Sequence, residues 1–208
     1  MRIAIIGAGS VGTALGGGWS AKGHDVVYGV PDPDKPKYGA LPRGAVLRAP
    51  QAAKDAAAIV LATPWRATEA ALRELGPLAG KIVIDCTNPL AMGADGLELA
   101  LGHSTSAGEQ VAGWAQGAAV FKTFNQTGAA NMGLASRFDH RPVMFVAGDD
   151  AGRKGEVMRL VGDLGFEAID AGPLRAARLL EPLAMLWIEL ALKRGRGDAF
   201  AFALARRS

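Results

Sequence analysis

The chain of 208 residues has one cysteine, Cys86, which rules out an internal disulfide and fits a reducing compartment. Histidine is scarce as well. His24, His103 and His140 stand far apart, so no Cys/His spacing matches a structural zinc site and no metal is expected. No apolar run reaches the roughly 18 residues of a membrane-spanning helix, and the opening MRIAIIGAG is broken by Gly7 too early to serve as a signal segment. Charge of one sign is also lacking. The 23 Lys and Arg face 20 Asp and Glu, and adjacent basic residues occur only at Arg153-Lys154, Lys193-Arg194 and Arg206-Arg207, which offers nucleic acid no basic stripe. Together these absences lead us to expect a soluble, cytoplasmic protein that partners neither membranes nor nucleic acid.

What is present is apolar and small. Half of the residues are hydrophobic, enough for one sizeable core. The 28 Gly and 40 Ala are spread without a period, as expected where backbone must approach backbone or a ligand closely. Arg2–Ile6 is a β-branched run followed by glycines and a helical stretch over 11–21. A second strand over 25–29 leads into VPDPDKPKYGALP, whose prolines forbid a regular helix or a central strand. Short helices are predicted over 51–56 and 66–75, and buried strands over 58–62 and 81–85. The segment 86–104 reads as irregular. Thr105 or Ser106 would cap a helix through Ala115, and Ser106 with Glu109 forms a capping-box pattern. Strands over 119–123, 142–147 and 166–169 flank a helix over 150–164.

From 174 to 193, Leu179, Leu180, Leu183, Leu186, Trp187, Leu190 and Ala191 predict a buried helical stripe, with Met185 and Trp187 as core or dimer packing or as one wall of a substrate pocket. The tail 198–206 reads as a returning strand or short helix. The fold class is therefore α/β: a Rossmann-type, doubly wound, mainly parallel sheet with a small C-terminal extension. We divide the chain into a dinucleotide-binding domain, 1–145, and a small lobe, 146–208, that completes the substrate cleft and is the candidate homodimer interface.

Gly7-Ala8-Gly9-Ser10-Val11-Gly12 is G-x-G-x-x-G standing between the first strand and the first helix. There the first glycine permits the tight turn, the second lets pyrophosphate approach, and the third lets helix and strand pack. The helix amino terminus adds free N–H groups for the diphosphate. The ribose selector belongs at the end of the second strand. Asp32 or Asp34 there would accept from a 2′-hydroxyl, favouring NAD, whereas Lys35, Lys37 or Arg43 would meet a 2′-phosphate, favouring NADP. Both cofactors stay open. Thr63, Pro64 and Trp65 close the third predicted strand, Asn88 and Pro89 follow the next, and Phe124 and Asn125 the one after, all at carboxyl ends where ligands of such sheets sit.

The chemistry itself belongs to the cofactor, which passes a hydride to a second redox ring or a carbonyl. No catalytic side chain is assigned. His24 falls at the wrong end of the sheet, His103 and His140 have no acidic partner by spacing, and Cys86 reads as packing. Lys122, within a strand just before Phe124, would either steer an anionic substrate as a buried ammonium near the site or serve a structural or surface role.

The chain resembles the F420-dependent NADP oxidoreductase family, whose fold also forms the cytosolic reductase domain of the STEAP metalloreductases. The likeness is carried by IAIIGAGSVGTAL at 3–15, GHDVVYG at 23–29, LATPW at 61–65, GKIVIDCTNPL at 80–90, SAGEQVA at 106–112, VFKTFNQTG at 120–128, FVAGDD at 145–150 and GFEAIDAGPLRAARLLEPLAML at 165–186. It implies hydride transfer between a nicotinamide dinucleotide and a deazaflavin or flavin-like acceptor such as F420, FMN or FAD, with no obligatory protein acid. It implies that Ala8, Gly9, Ser10 and Val11 hold phosphate, and that Pro64, Trp65, Asn88, Pro89, Phe124 and Asn125 surround the cofactor and ring cleft. The departure is at Val30-Pro31, where the family commonly carries an arginine that grips the 2′-phosphate; proline cannot do so, and Lys35 or Lys37 is the substitute the sequence offers. A reductase of a small imine or carbonyl, or a non-catalytic redox sensor, are the alternative readings.

Overall fold

In the computed structural model, which describes residues 1–42, 45–94 and 96–207, the β-branched runs line up as one sheet. The elements are β1 (Arg2–Ile6), α1 (Ser10–Ala21), β2 (Asp25–Val30), β3 (Val46–Arg48), α2 (Ala49–Lys54), β4 (Ala58–Leu61), α3 (Trp65–Glu74) and β5 (Ile82–Asp85). A hairpin of β6 (Leu90–Gly93) and β7 (Gly96–Leu99) follows, then α4 (Ala107–Trp114), β8 (Ala119–Lys122), α5 (Ala129–Met132), β9 (Val143–Gly148), α6 (Ala151–Asp163), β10 (Glu167–Gly172) and α7 (Ala177–Ile188). A π-helical turn, Glu189–Lys193, extends α7. No helix among the described residues is long and apolar enough to cross a membrane.

The eight-stranded sheet has the order β10-β9-β8-β5-β4-β1-β2-β3 and is parallel except where β8 meets β9. Strands buried on both faces must be apolar on both, which is why β1 and β4 are nearly free of polar residues. One face is filled by Leu15 and Trp19 of α1, Met132 of α5 and Val157 and Leu160 of α6. The other is filled by the alanines of α2, Leu72 of α3 and Val111 of α4. This is the doubly wound fold expected from the sequence. The strand order reverses between β1 and β4, so the crevice at the switch point opens at their carboxyl ends. β9 runs across residue 145, where the sequence reading divides the chain, and lies with β10 in the same sheet.

Several elements differ from expectation. β3 arises between the proline-rich loop and the predicted helix over 51–56, where no element is expected, and the β6–β7 hairpin arises in the stretch read as irregular. Within the α7 stripe Leu180, Trp187 and Ala191 are buried, but Leu179 and Leu186 face outward, exposed by 72% and 50%, while Glu181 is buried. The tail 198–206 forms neither strand nor helix. It returns as extended chain, with Phe200 stacked on Trp187, the Phe200 carbonyl accepting the Trp187 indole N–H at 2.9 Å, and the Phe202 carbonyl accepting Val143 N–H at 2.9 Å.

Ser106 caps α4 as read, but the Glu109 carboxylate accepts the Ser106 hydroxyl rather than closing the box on the Ser106 backbone N–H. Ser106 Oγ accepts Glu109 N–H at 3.2 Å and donates to Glu109 Oε2 at 2.7 Å, and Arg178 of α7 grips the same carboxylate through two bonds of 2.8 and 2.6 Å. The Arg178 bond holds the Glu109 carboxyl below its usual range, against its partial burial. Ser106→Ala is expected to cost about 1–2 kcal/mol and lower Tm by about 4 °C. An unchanged melt would mean that Arg178 alone holds this end of α4.

Candidate functional site

The glycine turn between β1 and α1 is shaped by contacts that only glycine permits. Gly7 has φ +105°, donates its N–H to the Gly29 carbonyl at 2.9 Å, and stands so close to β4 that a Cβ would lie 2.6 Å from the Ala62 carbonyl oxygen. A Cβ on Gly12 would overlap the Gly7 carbonyl oxygen. Gly9 is different. Its backbone is extended, and a Cβ there would meet nothing within 4 Å, so its bare face looks onto open space. The amino end of α1 has no side-chain cap and no acidic residue in its first turn, whereas α4 and α6 are capped by Ser106 and Asp150. Uncapped N–H groups beside open space are donors that favour an anion.

That space is a cleft of about 560 Å³ lined by Gly9, Ser10 and Val11, by Ala62 to Arg66, and by Cys86, Thr87, Asn88 and Leu90. The carboxyl ends of β1, β4 and β5 thus converge at the switch point. Thr63 Oγ1 lies 2.9 Å from Thr68 Oγ1, which donates in turn to the Pro64 carbonyl at 3.2 Å, fixing the start of α3. Trp65 stacks on Trp114 of α4 at 5.4 Å between centroids. Burial first, and then the Asp85 carboxylate, opposed by Lys122, lift the Cys86 thiol well above its usual range, so it remains a thiol. A second concavity of about 910 Å³, between the 99–103 loop and α7, includes His103, Arg175 and Arg178 and shares no lining residue with the cleft.

The β5 lip is fixed from below by a buried charge cluster. Lys122 Nζ reaches Asp85 Oδ2 at 2.9 Å, the Thr87 carbonyl at 2.6 Å and Glu181 Oε1 at 3.0 Å, which accounts for its three N–H bonds. Asp85 Oδ1 accepts Thr87 N–H at 2.9 Å, and Glu181 accepts the N–H groups of Ala107 and Gly108 at 3.0 and 3.1 Å. Burial pushes the Lys122 ammonium towards neutrality, but Asp85 and then Glu181 outweigh it and raise its pKa. Lys122 is 0% exposed, so it does not reach a substrate; of the two roles open from the sequence, the structure gives it the structural one.

The amides behave unequally. Asn125 Nδ2 donates to Asn88 Oδ1 at 3.1 Å and to the Leu180 carbonyl at 3.0 Å, while its Oδ1 accepts from Gln126 at 2.9 Å, so it clamps α7 to the cleft. Asn88, which lines the cleft, donates from Nδ2 to the Asn125 carbonyl at 3.0 Å, and its second N–H has no partner among the described residues. The Thr87 hydroxyl has no partner among the described residues.

Of the residues singled out in the sequence, the structure gathers Gly9, Ser10, Val11, Thr63, Pro64, Trp65 and Asn88 around one cleft, with Gly7, Ala8 and Gly12 forming the turn beneath. Pro89 is buried behind Asn88, its carbonyl accepting Ala100 N–H at 2.7 Å. Phe124, at φ +59°, turns its ring into the core between Trp19 and Phe166 and away from the cleft lining. Asp32 and Lys35 are on the loop after β2, outside the cleft lining; Asp32 Oδ1 accepts Asp34 N–H at 3.3 Å. Arg43 lies outside the described residues. His24 sits at the opposite edge, its Nε2 3.0 Å from Asp163. Sequence reasoning missed Glu181. A carboxylate in register with the buried Leu180, Ala184 and Trp187 was the available signal, since a charge on a packed face needs a partner.

Known proteins resemble this chain in sequence and fold. Residues 2–89 match the family described as NADP oxidoreductase, coenzyme F420-dependent. The chain is 28% identical over 188 residues to the metalloreductase STEAP3 of Rattus norvegicus, covering 89% of this chain and 37% of that protein, so it spans little more than a third of that relative. It is similar to a solved structure of a candidate F420-dependent NADP-reductase from Arthrobacter sp. FB24, with 33% identity, TM-score 0.89, and coverage of 99% of this chain and 100% of that one. A reductive aminase from Aspergillus terreus, solved with NADPH and ethyl levulinate, shares the fold at 20% identity and TM-score 0.67, over 93% of this chain and 62% of that one.

Proposed function

The chain belongs to the F420-dependent NADP oxidoreductase family, and on that premise we propose that it moves a hydride between NADP(H) and a deazaflavin or flavin-like ring. The observation that carries this reading is the glycine turn, whose Gly9 opens onto free space beside the uncapped amino end of α1. A diphosphate fits there because the N–H groups and helix dipole favour an anion where no Cβ intervenes.

A bound nicotinamide supplies the hydride. The chain's own residues bind and orient. Ser10 and Val11 receive the diphosphate, Pro64 and Trp65 wall the cofactor, and the remaining Asn88 N–H orients a ribose or carboxamide oxygen. Arg66 and Cys86 are the titratable groups among the residues lining the cleft, and Cys86 is held as a thiol. Such a lining suits a ring acceptor, which needs no protein acid, better than a carbonyl or imine that must be protonated. The segment from residue 146 onward supplies α7, which backs Asn88 through Asn125. Leu179, Leu186 and Leu192 of the C-terminal segment are each exposed, which is why we assign the homodimer contact to that segment, and a monomeric mass by light scattering would remove that assignment.

Following nicotinamide absorbance with F420, FMN, FAD and riboflavin as acceptors tests the reaction. NADPH oxidation by one or more of these rings is expected. Tight NADPH binding without turnover on any acceptor would leave a redox sensor, and turnover confined to imines or carbonyls would reassign the acceptor.

A further inference from the structure

β3 brings an arginine to the corner where the adenosine ribose is read. β2 and β3 are parallel, with Val30 opposite Arg48, the last residue of each strand. The Arg48 guanidinium reaches across and donates from Nη1 to the Pro31 carbonyl at 3.1 Å. That carbonyl is one residue past β2, and β2 is tied to the glycine turn by the Gly7 to Gly29 hydrogen bond. We infer that Arg48 holds the 2′-phosphate of NADP(H) and sets the preference for it over NAD(H). This inference rests on the cofactor reading above.

The argument is one of position, charge and geometry. In dinucleotide-binding sheets the 2′ position is read at the end of the second strand, by a carboxylate for a hydroxyl or by an arginine for a phosphate. Pro31 has no donor to offer. Asp32 turns its carboxylate back onto Asp34 N–H, closing a local turn. Lys37 lies with its ammonium 4.9 Å over the Tyr38 ring. Arg48 is exposed, has no carboxylate within ion-pair distance among the described residues, and uses one of its N–H groups on Pro31. A guanidinium has five N–H donors in a rigid fork, so four remain to take a phosphate in bidentate fashion. The bond to Pro31 holds the fork at the strand end in advance. The neighbouring strand thereby supplies the guanidinium that Pro31, at the end of β2, does not.

Calorimetry with NADPH and NADH on the whole chain and on Arg48→Gln tests this. Glutamine keeps a donor for the Pro31 carbonyl and removes the charge. The variant should bind NADPH roughly 10- to 100-fold more weakly, the range of a lost charge-assisted contact. NADH affinity should stay within about 2-fold, which also reports that the site is still folded. Equal weakening for both nucleotides, or an unchanged ratio, overturns the inference, as does a Lys35→Gln variant that abolishes the preference when Arg48→Gln does not. An unsubstituted chain that binds both nucleotides without preferring NADPH also overturns it, while leaving the cofactor site standing. A chain that binds neither nucleotide refutes the cofactor reading itself.

Discussion

Gly9→Val should abolish nicotinamide-nucleotide binding in a protein that melts normally, whereas Gly12→Ala should lose both binding and stability. The two glycines are three residues apart in one turn, yet their surroundings are opposite. At Gly9 the backbone has φ −87° and ψ −168°, an extended conformation that valine adopts without strain, and the new side chain enters empty space. That is the space assigned to the diphosphate. We expect at least about 100-fold weaker binding of NADPH and NADH alike, close to 3 kcal/mol, with Tm within about 2 °C of the parent. At Gly12 even one methyl overlaps the Gly7 carbonyl, and no flexible side chain can yield. Alanine would otherwise favour the helix by about 1 kcal/mol, but forcing α1 off β1 outweighs that gain by a further 1–3 kcal/mol or so. Calorimetry and thermal melts on both variants give the answer. Undiminished nucleotide affinity in Gly9→Val would mean that the diphosphate does not cross this turn.

Lys122→Met should be the most destabilising single substitution at the site, by about 3–5 kcal/mol and on the order of 10 °C in Tm. It removes the cation from between two buried carboxylates, Asp85 and Glu181, and deprives the Thr87 carbonyl of its donor. Methionine fills similar volume, so the loss reports charge rather than a cavity. The sign of the pH dependence follows. In the parent the Lys122 pKa is raised, because Asp85 and Glu181 outweigh burial, so its contribution is whole at neutral pH and is lost only as pH rises through that raised value. The variant lacks that titrating group, so the gap in Tm between parent and variant should be at its full size at neutral pH and narrow only as pH rises through the raised Lys122 value. A variant melting within about 2 °C of the parent at neutral pH would show that the cluster contributes little.

The glycine turn, the β1–α1–β2 order and the cap of α4 are local features, so they were legible as patterns along the chain. β3 was not, because three residues hemmed between a proline-rich loop and Pro50 carry no period; only pairing with β2 makes them a strand. The β6–β7 hairpin escaped for a related reason, since Leu90 to Leu99 contains no β-branched residue and three of its positions are glycine or proline-adjacent turn chemistry. In α7 nearly every face is apolar, and counting leucines could not say which way the helix is rotated. The buried Glu181, held by α4 and Lys122, fixes the rotation that leaves Leu179 and Leu186 outside. Phe124 was read with its neighbours at the strand end. A left-handed φ, rarely adopted by a bulky residue, sends its ring into the core and leaves Asn125 to hold the lip. Long-range pairing and single backbone inversions are what a linear pattern omits.

The lip formed by Thr87 and Asn88 is held at its N–H by Asp85, at its carbonyl by Lys122 and at its amide by Asn125, all within the chain itself. It is ordered before any nucleotide arrives. The conformational entropy of arranging this wall belongs to folding rather than to binding, so association does not have to be opposed by it. Free and cofactor-bound forms should then share one backbone here, and the calorimetric signature of binding should reflect contacts made and water released rather than a segment becoming ordered.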